Sequence, residues 1–348
     1  MDDAPGTKRR NFFRWFAGSW TARPLFSTGT ALIVMVILQT LALGFDFPTF
    51  GAWLSRWLVN WSNILRNNAG IGIISLGMTF VIISGGIDLA VGSTLVAIGA
   101  VVMMLIDTGP KGLLLRIGLT GVPAYAAAII AGVAFGALLG EITGILVTKG
   151  KLPPFIATLG TMKICRSVTQ HFMQGYTPQV PKPFLQIASF PVFGQLIMPI
   201  IYWFIFAFIF YVISKRTAFG RQVTAVGSNE RAARLSGVSV QRVKRLVYTL
   251  TGTMVAFSAI LQVSRIGSMD YANAGSGSEM DAISAVIVGG TSMAGGRGFI
   301  LGTVLGALII GVMNNLLNLM GVPPFLREAF KGVIVIGAVL LQKRESSS

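Results

Sequence analysis

The chain has 348 residues, of which 53% are hydrophobic and only 11% are charged, whereas soluble domains carry about 25% charged residues. This composition excludes an ordinary soluble domain and indicates a membrane protein. The formal net charge is +16, but the basic residues cluster between apolar segments, so they indicate topology rather than a nucleic-acid partner. The single cysteine, Cys165, and the single histidine, His171, exclude an intrachain disulfide, multi-cysteine metal sites and paired-histidine zinc motifs.

Residues 1–24 are polar and basic and precede an apolar segment that is too long for the 7–15-residue core of a typical signal peptide. We therefore expect a retained first helix. Because about 20 apolar residues cross a bilayer as a helix, the fold class predicted is all-α: a polytopic membrane protein with about ten transmembrane helices. The apolar segments lie near 25–45, 67–84, 90–107, 119–147, 153–172, 196–214, 246–264, 279–292, 298–318 and 325–341.

Ten crossings would place both termini in the cytoplasm, together with the loop at 215–245 between the sixth and seventh segments. That loop carries eight basic residues and one acidic residue, Glu230, as cytoplasmic loops typically do. The basic residues are Lys215, Arg216, Arg221, Arg231, Arg234, Arg242, Lys244 and Arg245. The predicted organisation is one transmembrane domain at 25–341 between cytoplasmic tails at 1–24 and 342–348.

Two of the predicted apolar segments, 90–107 and 279–292, are short and bordered by glycine-rich stretches. "GGIDLAVGS" (85–93) is echoed by "GGTSMAGGRG" (289–298) about 204 residues later. Glycine-interrupted segments in both halves of a membrane protein point to a translocation pathway and to broken helices. Small residues also let membrane helices pack closely, so both interpretations stay open.

Asp88 lies within the first of these glycine-rich segments. A charge at the bilayer centre costs about 2.5–3.5 kcal/mol, so an aspartate at this depth is a functional candidate. The preceding glycine pair predicts a broken helix, which leaves free backbone N–H groups at the start of the next segment. As an N-cap, the Asp88 carboxylate could accept hydrogen bonds from them. Such a break must be buried in protein or line a water-filled cavity, which places Asp88 near the pathway. The alternative role is that of a proton carrier.

The loop at 215–245 contains "NERAARLSG" (229–237), which predicts a short helix capped by Ser228 and ended by Gly237, with Ser239 capping the next helix. Its arginines form a charged face and its apolar residues a small apolar face. A helix of this kind can dock in a groove on another protein. A basic loop resting on anionic lipid headgroups is the other interpretation.

No G-x-x-x-x-G-K-[ST] motif occurs in the chain, so no ATP site of the P-loop type is predicted. Nucleophile elbows and metalloprotease helices are absent as well. The sequence therefore predicts no catalytic residue, metal ligand or cofactor. Carboxylates within the apolar segments keep an ion-coupled secondary transporter of a small polar solute as the alternative function.

Six blocks in order carry a resemblance to a known family. They are "GMTFVIISGGIDLAVGS" (77–93), "GILVTKGKLPPFIATLG" (144–160), "GSNERAARLSGV" (227–238), "SRIGS" (264–268), "MDAISAVIVGGTSMAGG" (280–296) and "NNLLNLMGV" (314–322). From about residue 63 to 341 the chain resembles the permease subunits of bacterial ATP-binding-cassette importers for pentoses and hexoses. The sequence departs from the family at Ala90, where serine is usual, and at the charged Glu141 and Lys163.

The resemblance implies a permease subunit in the bacterial inner membrane that forms the path for a monosaccharide. The implied partners are a second permease subunit, identical or related, a cytoplasmic ATPase that uses the ATP, and a periplasmic sugar-binding protein. The family's coupling helix would correspond to the short loop helix and would carry Glu230, Arg231, Ala233 and Arg234 onto the ATPase, with Gly237 at its end.

Asn314 and Asn318 are four residues apart and lie on one face of the predicted ninth segment. An unpaired amide facing lipid would be costly, so both are expected to face the bundle interior. They would either line the path or form hydrogen bonds between helices that hold the dimer together.

Overall fold

A computed structural model describes residues 24–45, 47–192 and 195–346, and the regular elements in these ranges are helices. The helices are α1 (Pro24–Leu43), α2 (Phe50–Ile83), α3 (Val91–Ile106), α4 (Leu113–Arg116), α5 (Gly121–Thr148), α6 (Pro154–Met173), α7 (Lys182–Ser189), α8 (Met198–Arg216), α9 (Ala218–Ser228), α10 (Glu230–Leu235), α11 (Val240–Ile266), α12 (Ser278–Val288), α13 (Ile300–Leu319) and α14 (Pro324–Ser346). The predicted N-terminal tail lies outside the described residues except for Pro24. The predicted C-terminal tail is helical as far as Ser346.

Six helices in the described ranges are long and apolar enough to cross a membrane: α1, α2, α5, α8, α11 and α13. The all-α, multi-span prediction is therefore confirmed, while the number ten is not. All ten predicted segments coincide with helices, but α3 and α12 have 16 and 11 residues. At 1.5 Å per residue they extend only about 24 Å and 17 Å, less than the roughly 30 Å of a hydrocarbon core.

The centre of the bundle is formed by α11 and the second half of α2. Glycines allow α5 to lie directly on α11: a Cβ atom at Gly140 would collide with the backbone of Tyr248, and one at Gly252 with the carbonyl of Gly136. Close approach through small residues is how membrane helices gain packing without a hydrophobic driving force. Packing therefore accounts for these glycines, and α11 is fixed between α2, α3 and α5.

The second helix is longer than its apolar segment. The prediction began it near residue 67, whereas α2 begins at Phe50, where the hydroxyl of Thr49 accepts the N–H of Ala52 at 3.2 Å. The first half of α2 contains polar side chains that lower its hydropathy, and several of them have hydrogen-bond partners. Asn60, for example, exchanges two amide hydrogen bonds with Asn315 of α13, at 3.1 and 3.0 Å.

Candidate functional site

The predicted loop helix is present as α10. Its N-cap is Asn229, whose side-chain oxygen accepts the N–H of Ala232 at 2.9 Å. The prediction of Ser228 as the cap was wrong, because α9 continues through Ser228. The next residue, Asn229, has the extended backbone of an N-cap residue. Gly237 follows the end of α10 with φ of 81°, a backbone conformation that glycine adopts without strain. Ser239 occupies the N-cap position of α11 but makes no capping hydrogen bond.

One side of α10 is attached to the protein and the other is exposed. Ala233 is buried in the core, and Glu230 binds Lys244 at the start of α11, with 2.7 Å between Oε2 and Nζ. Arg234 lies 3.5 Å from Glu230, whereas exposed Arg231 forms no ion pair with any described residue. Leu235 is 82% exposed. The helix therefore presents a cation and a large apolar side chain outward.

The two glycine-rich segments meet directly behind α10. The N–H of Gly296 donates to the carbonyl of Ile83, the last residue of α2, at 2.8 Å. Gly227, just before α10, is so close that an added Cβ would collide with the same carbonyl. Gly85, Gly295 and Gly296 all have φ between 73° and 85°, which side-chain-bearing residues rarely adopt. This junction joins the two halves of the chain to the base of α10.

Asp88 lies in the break between α2 and α3 and is only 6% exposed. Its Oδ1 accepts the N–H of Ala90 at 2.9 Å, a bond to the backbone two residues on that is typical of aspartate in turns. The broken helix is confirmed, but the N-cap position is occupied by Ala90, and no side chain caps α3. Asp88 thus supports the turn that enters α3 instead of capping the helix itself.

The first turns of α11 contact three other elements. Lys244 binds Glu230 of α10, and the next residue, Arg245, forms an ion pair with Glu141 of α5. Thr249 donates to the second oxygen of Glu141 at 2.8 Å. Tyr248, between them, donates its O–H to the carbonyl of Ile87 in the break, at 3.2 Å. Helix α11 therefore connects the exposed α10 to the segment that holds Asp88.

Other charges within the predicted apolar segments differ in their surroundings. Asp281 of α12 is paired with buried Lys331 of α14 at 2.8 Å, and Lys331 also contacts Glu328. Arg166 of α6 donates to backbone carbonyls at 2.7 and 3.3 Å. Lys163 of the same helix is exposed and forms no ion pair with any described residue.

Asn314 and Asn318 do not share the same environment. Asn314 is half-buried, but Asn318 is exposed within this chain, and its amide oxygen accepts a hydrogen bond from Arg327 at 2.9 Å. Within this chain the two residues do not share a buried face, because Asn318 lies near the end of α13, beyond the buried part of that helix. Their role in the path or in the dimer stays a prediction. The interhelical pair is made by Asn315, with Asn60. Asn60, a polar residue in the first half of α2, indicated that a polar partner exists, but the sequence alone did not identify Asn315.

A cavity of about 210 Å³ lies among α2, α5, α7, α8 and α11. Its lining consists of Ile73, Ile129, Ile187, Tyr202, Phe206, Phe257, Ile260 and Leu261. A polyhydroxy ligand needs convergent polar groups, which this lining does not supply. The cavity is therefore unsuited to a sugar.

Comparison with known proteins gives several related permeases. Residues 60–339 match the family described as "Branched-chain amino acid transport system / permease component". The chain is 41% identical to the ribose import permease protein RbsC of Bacillus subtilis (strain 168), over 83% of this chain and 86% of that protein. Identity is 36% with RbsC of Escherichia coli (strain K12), covering 95% and 97%, and 33% with its galactofuranose transporter permease protein YtfT, covering 99% and 94%. No solved structure matches the chain.

Proposed function

Since the chain belongs to the family of permease components described for the branched-chain amino acid transport system, we propose that it forms the membrane path of an ATP-driven importer for a monosaccharide. The observation that carries this function is similarity along nearly the whole chain to permeases named for ribose and galactofuranose. It is a multi-pass protein of the bacterial inner membrane. The chain itself performs transport and no chemical reaction.

A cytoplasmic ATPase binds at α10 in this proposal. The support is geometric: Ala233 and Glu230 attach α10 to the bundle, while Arg231, Arg234 and Leu235 point outward. A helix with an exposed cation and an exposed apolar side chain suits a groove on another protein. The same assignment places the basic 215–245 loop and both termini in the cytoplasm, with ten helices crossing or entering the membrane.

Movement of α10 would reach the broken helix through α11. Lys244 of α11 is held to Glu230 of α10 by an ion pair, so it would move with α10. Tyr248 lies one turn further along α11 and donates its O–H to the carbonyl of Ile87. A rigid helix transmits a displacement along its length, so ATPase closure would shift the turn that Asp88 supports. The remaining partners proposed are a second permease subunit, which completes the path, and a periplasmic sugar-binding protein.

The ion-coupled alternative is less well supported by the geometry. Glu141 and Asp281 are both paired with cations, so neither is a free carboxylate in a path. Asp88 accepts a backbone hydrogen bond as a structural residue would.

The composition of the purified complex tests the proposal. The chain is extracted in mild detergent from cells that co-express the candidate ATPase and binding protein, and its mass is measured by native mass spectrometry. We expect two permease subunits with two ATPase domains, on one ATPase chain or on two. A chain that purifies without any ATPase, yet supports uptake after reconstitution alone, would contradict it.

A further inference from the structure

Helix α6 crosses the bundle although it is not apolar enough to be a self-evident membrane span. Its 20 residues extend about 30 Å, the thickness of a hydrocarbon core. It starts shortly after the end of α5. Just beyond its own end, Tyr176 donates to Asp107 at the end of α3, with 2.5 Å between the oxygens. Helix α6 therefore extends from the end of α5 to the far end of α3. It is nevertheless not among the six helices that are long and apolar enough to cross a membrane.

Most of the polar residues that lower the hydropathy of α6 lie on its outward face, apart from half-buried Arg166. Helix α6 packs on α3 and α5, and apart from Met173 its buried residues are small or weakly polar: Ala157, Thr158, Thr161, Cys165 and Thr169. On the opposite side Lys163, Ser167, Gln170 and His171 are all exposed. Spacings of three and four residues place these four side chains on one face, which we call the α6 polar stripe. Exposed Ile164, Val168 and Phe172 form an apolar strip beside it.

Lipid cannot be the neighbour of the polar stripe. Lys163 is near the middle of α6, about 14 Å along the axis from either end, which is too far for its side chain to bring the ammonium group to the headgroups. A cation or an unpaired amide in hydrocarbon is costly, and such groups face a bundle interior or a water-filled cavity instead. None of the described residues gives the stripe a bundle interior to face.

We propose that the α6 polar stripe is one wall of a water-filled path, completed by a second copy of this chain, and that Lys163 suits this path to a polyhydroxy substrate bearing a negative charge, such as a sugar acid. The inference deepens the proposed function and rests on it for the second copy. The apolar strip at Ile164, Val168 and Phe172 gives the second copy a surface to pack on.

The charge of the stripe indicates the class of substrate. Ser167 and Gln170 offer hydrogen bonds to hydroxyl groups of any sugar. Lys163 adds a positive charge that no described residue neutralises, and a second copy would bring another. Lysines that line a pore favour anions, because charge in a low-dielectric channel acts over longer distances than in water. A carboxylate on the substrate would offset both cations during passage.

Thiol labelling tests the proposal without requiring transport. Cys165 is the only cysteine, so Cys165→Ala gives a cysteine-free background, to which Ser167→Cys or Gln170→Cys is added. The complete importer in membrane vesicles is treated with anionic or cationic methanethiosulfonate reagents in each nucleotide state. We expect labelling at both positions in at least one state, with the anionic reagent roughly tenfold faster. Adding Lys163→Gln should abolish that preference, and Lys163→Arg should retain it.

Val168→Cys is the matched control, since Val168 adjoins Ser167 and is also exposed but belongs to the apolar strip. It should stay unlabelled by these water-soluble reagents. Failure to label Ser167→Cys and Gln170→Cys in every state overturns the water-filled path. Labelling at equal rates by the two reagents overturns the anionic substrate class. Either failure leaves the ATP dependence of uptake unaffected, so it is distinguishable from failure of the proposed function.

Discussion

The backbone N–H of Gly296 donates a hydrogen bond to the carbonyl of Ile83 at 2.8 Å, which joins residues from the two halves of the chain at the base of α10. The same carbonyl lies so close to Gly227 that no side chain fits between them. A short segment bordered by glycines is often taken only as a sign of flexibility. Here the absence of side chains allows three backbone segments to meet.

Replacement of Gly227 with alanine should therefore destabilise the protein. The added Cβ would collide with backbone atoms, which cannot rotate away as a side chain can, and overpacking of this kind typically costs about 1–3 kcal/mol. The thermal unfolding midpoint of the purified protein measures the loss. Gly29→Ala in α1 is the control, because a Cβ there meets no atom within 4 Å. Equal midpoints for the two variants would show that the junction is not tightly packed.

Charge reversal at Arg231 should uncouple or dissociate the ATPase while leaving membrane insertion intact. Arg231 is exposed and has no ion pair among the described residues, so Arg231→Glu removes nothing from the fold of this chain. ATPase recovery in co-purification and uptake per ATP hydrolysed are the measurements. Arg221→Glu, which alters another exposed arginine but on α9, controls for the change in net charge. Normal coupling in both variants would favour contact of α10 with lipid headgroups instead.

Substitutions at Asp88 separate a structural role from a charge-dependent one. Asp88→Asn keeps the oxygen that accepts the N–H of Ala90 and removes the charge, so most ATP-driven uptake should remain. Asp88→Leu leaves that buried N–H without its partner, at a cost of roughly 1–3 kcal/mol, and the yield of folded protein should fall. Size-exclusion profiles and uptake rates distinguish the two effects. A well-folded Asp88→Asn variant without transport would assign a function to the charge.

Stability in acid should depend on the contact between Asp107 and Tyr176. Burial alone would raise the pKa of Asp107, but hydrogen bonds from Tyr176 and from two backbone N–H groups outweigh it and hold the pKa below its usual value. A carboxyl with a lowered pKa stabilises the fold at neutral pH, and that contribution is lost as pH falls through its folded-state pKa.

Removal of the tyrosine hydroxyl should weaken this contribution. In Tyr176→Phe a hydrogen bond to a charged group is lost, worth roughly 1.5–3 kcal/mol, and unfolding should begin at a higher pH than in the parent protein. Thermal melts between pH 7 and pH 3 record the shift. Tyr211→Phe serves as the control, since the hydroxyl of Tyr211 has no hydrogen-bond partner among the described residues. Identical pH profiles for parent and Tyr176→Phe would contradict the role given to this contact.

Features determined by local chemistry could be predicted from the sequence, and those determined by contacts between distant residues could not. Apolar length located the helices, and the Gly85-Gly86 pair located the break before α3. The cap of α10 was misplaced by one residue, because the extent of α9 depends on its packing and not on the capping residue alone. Two further features became visible only in the three-dimensional structure: the pairing of Asn60 with Asn315, 255 residues apart, and the outward direction of Lys163.

The energy source of uptake tests the central claim most directly. The chain is reconstituted in liposomes with its ATPase and binding protein, and accumulation of radiolabelled substrate is measured with ATP present, with ATP absent, and with an imposed proton or sodium gradient in place of ATP. The account predicts accumulation only when ATP is hydrolysed, and insensitivity to ionophores that collapse the gradients. Uptake that proceeds without ATP and follows either gradient would contradict it.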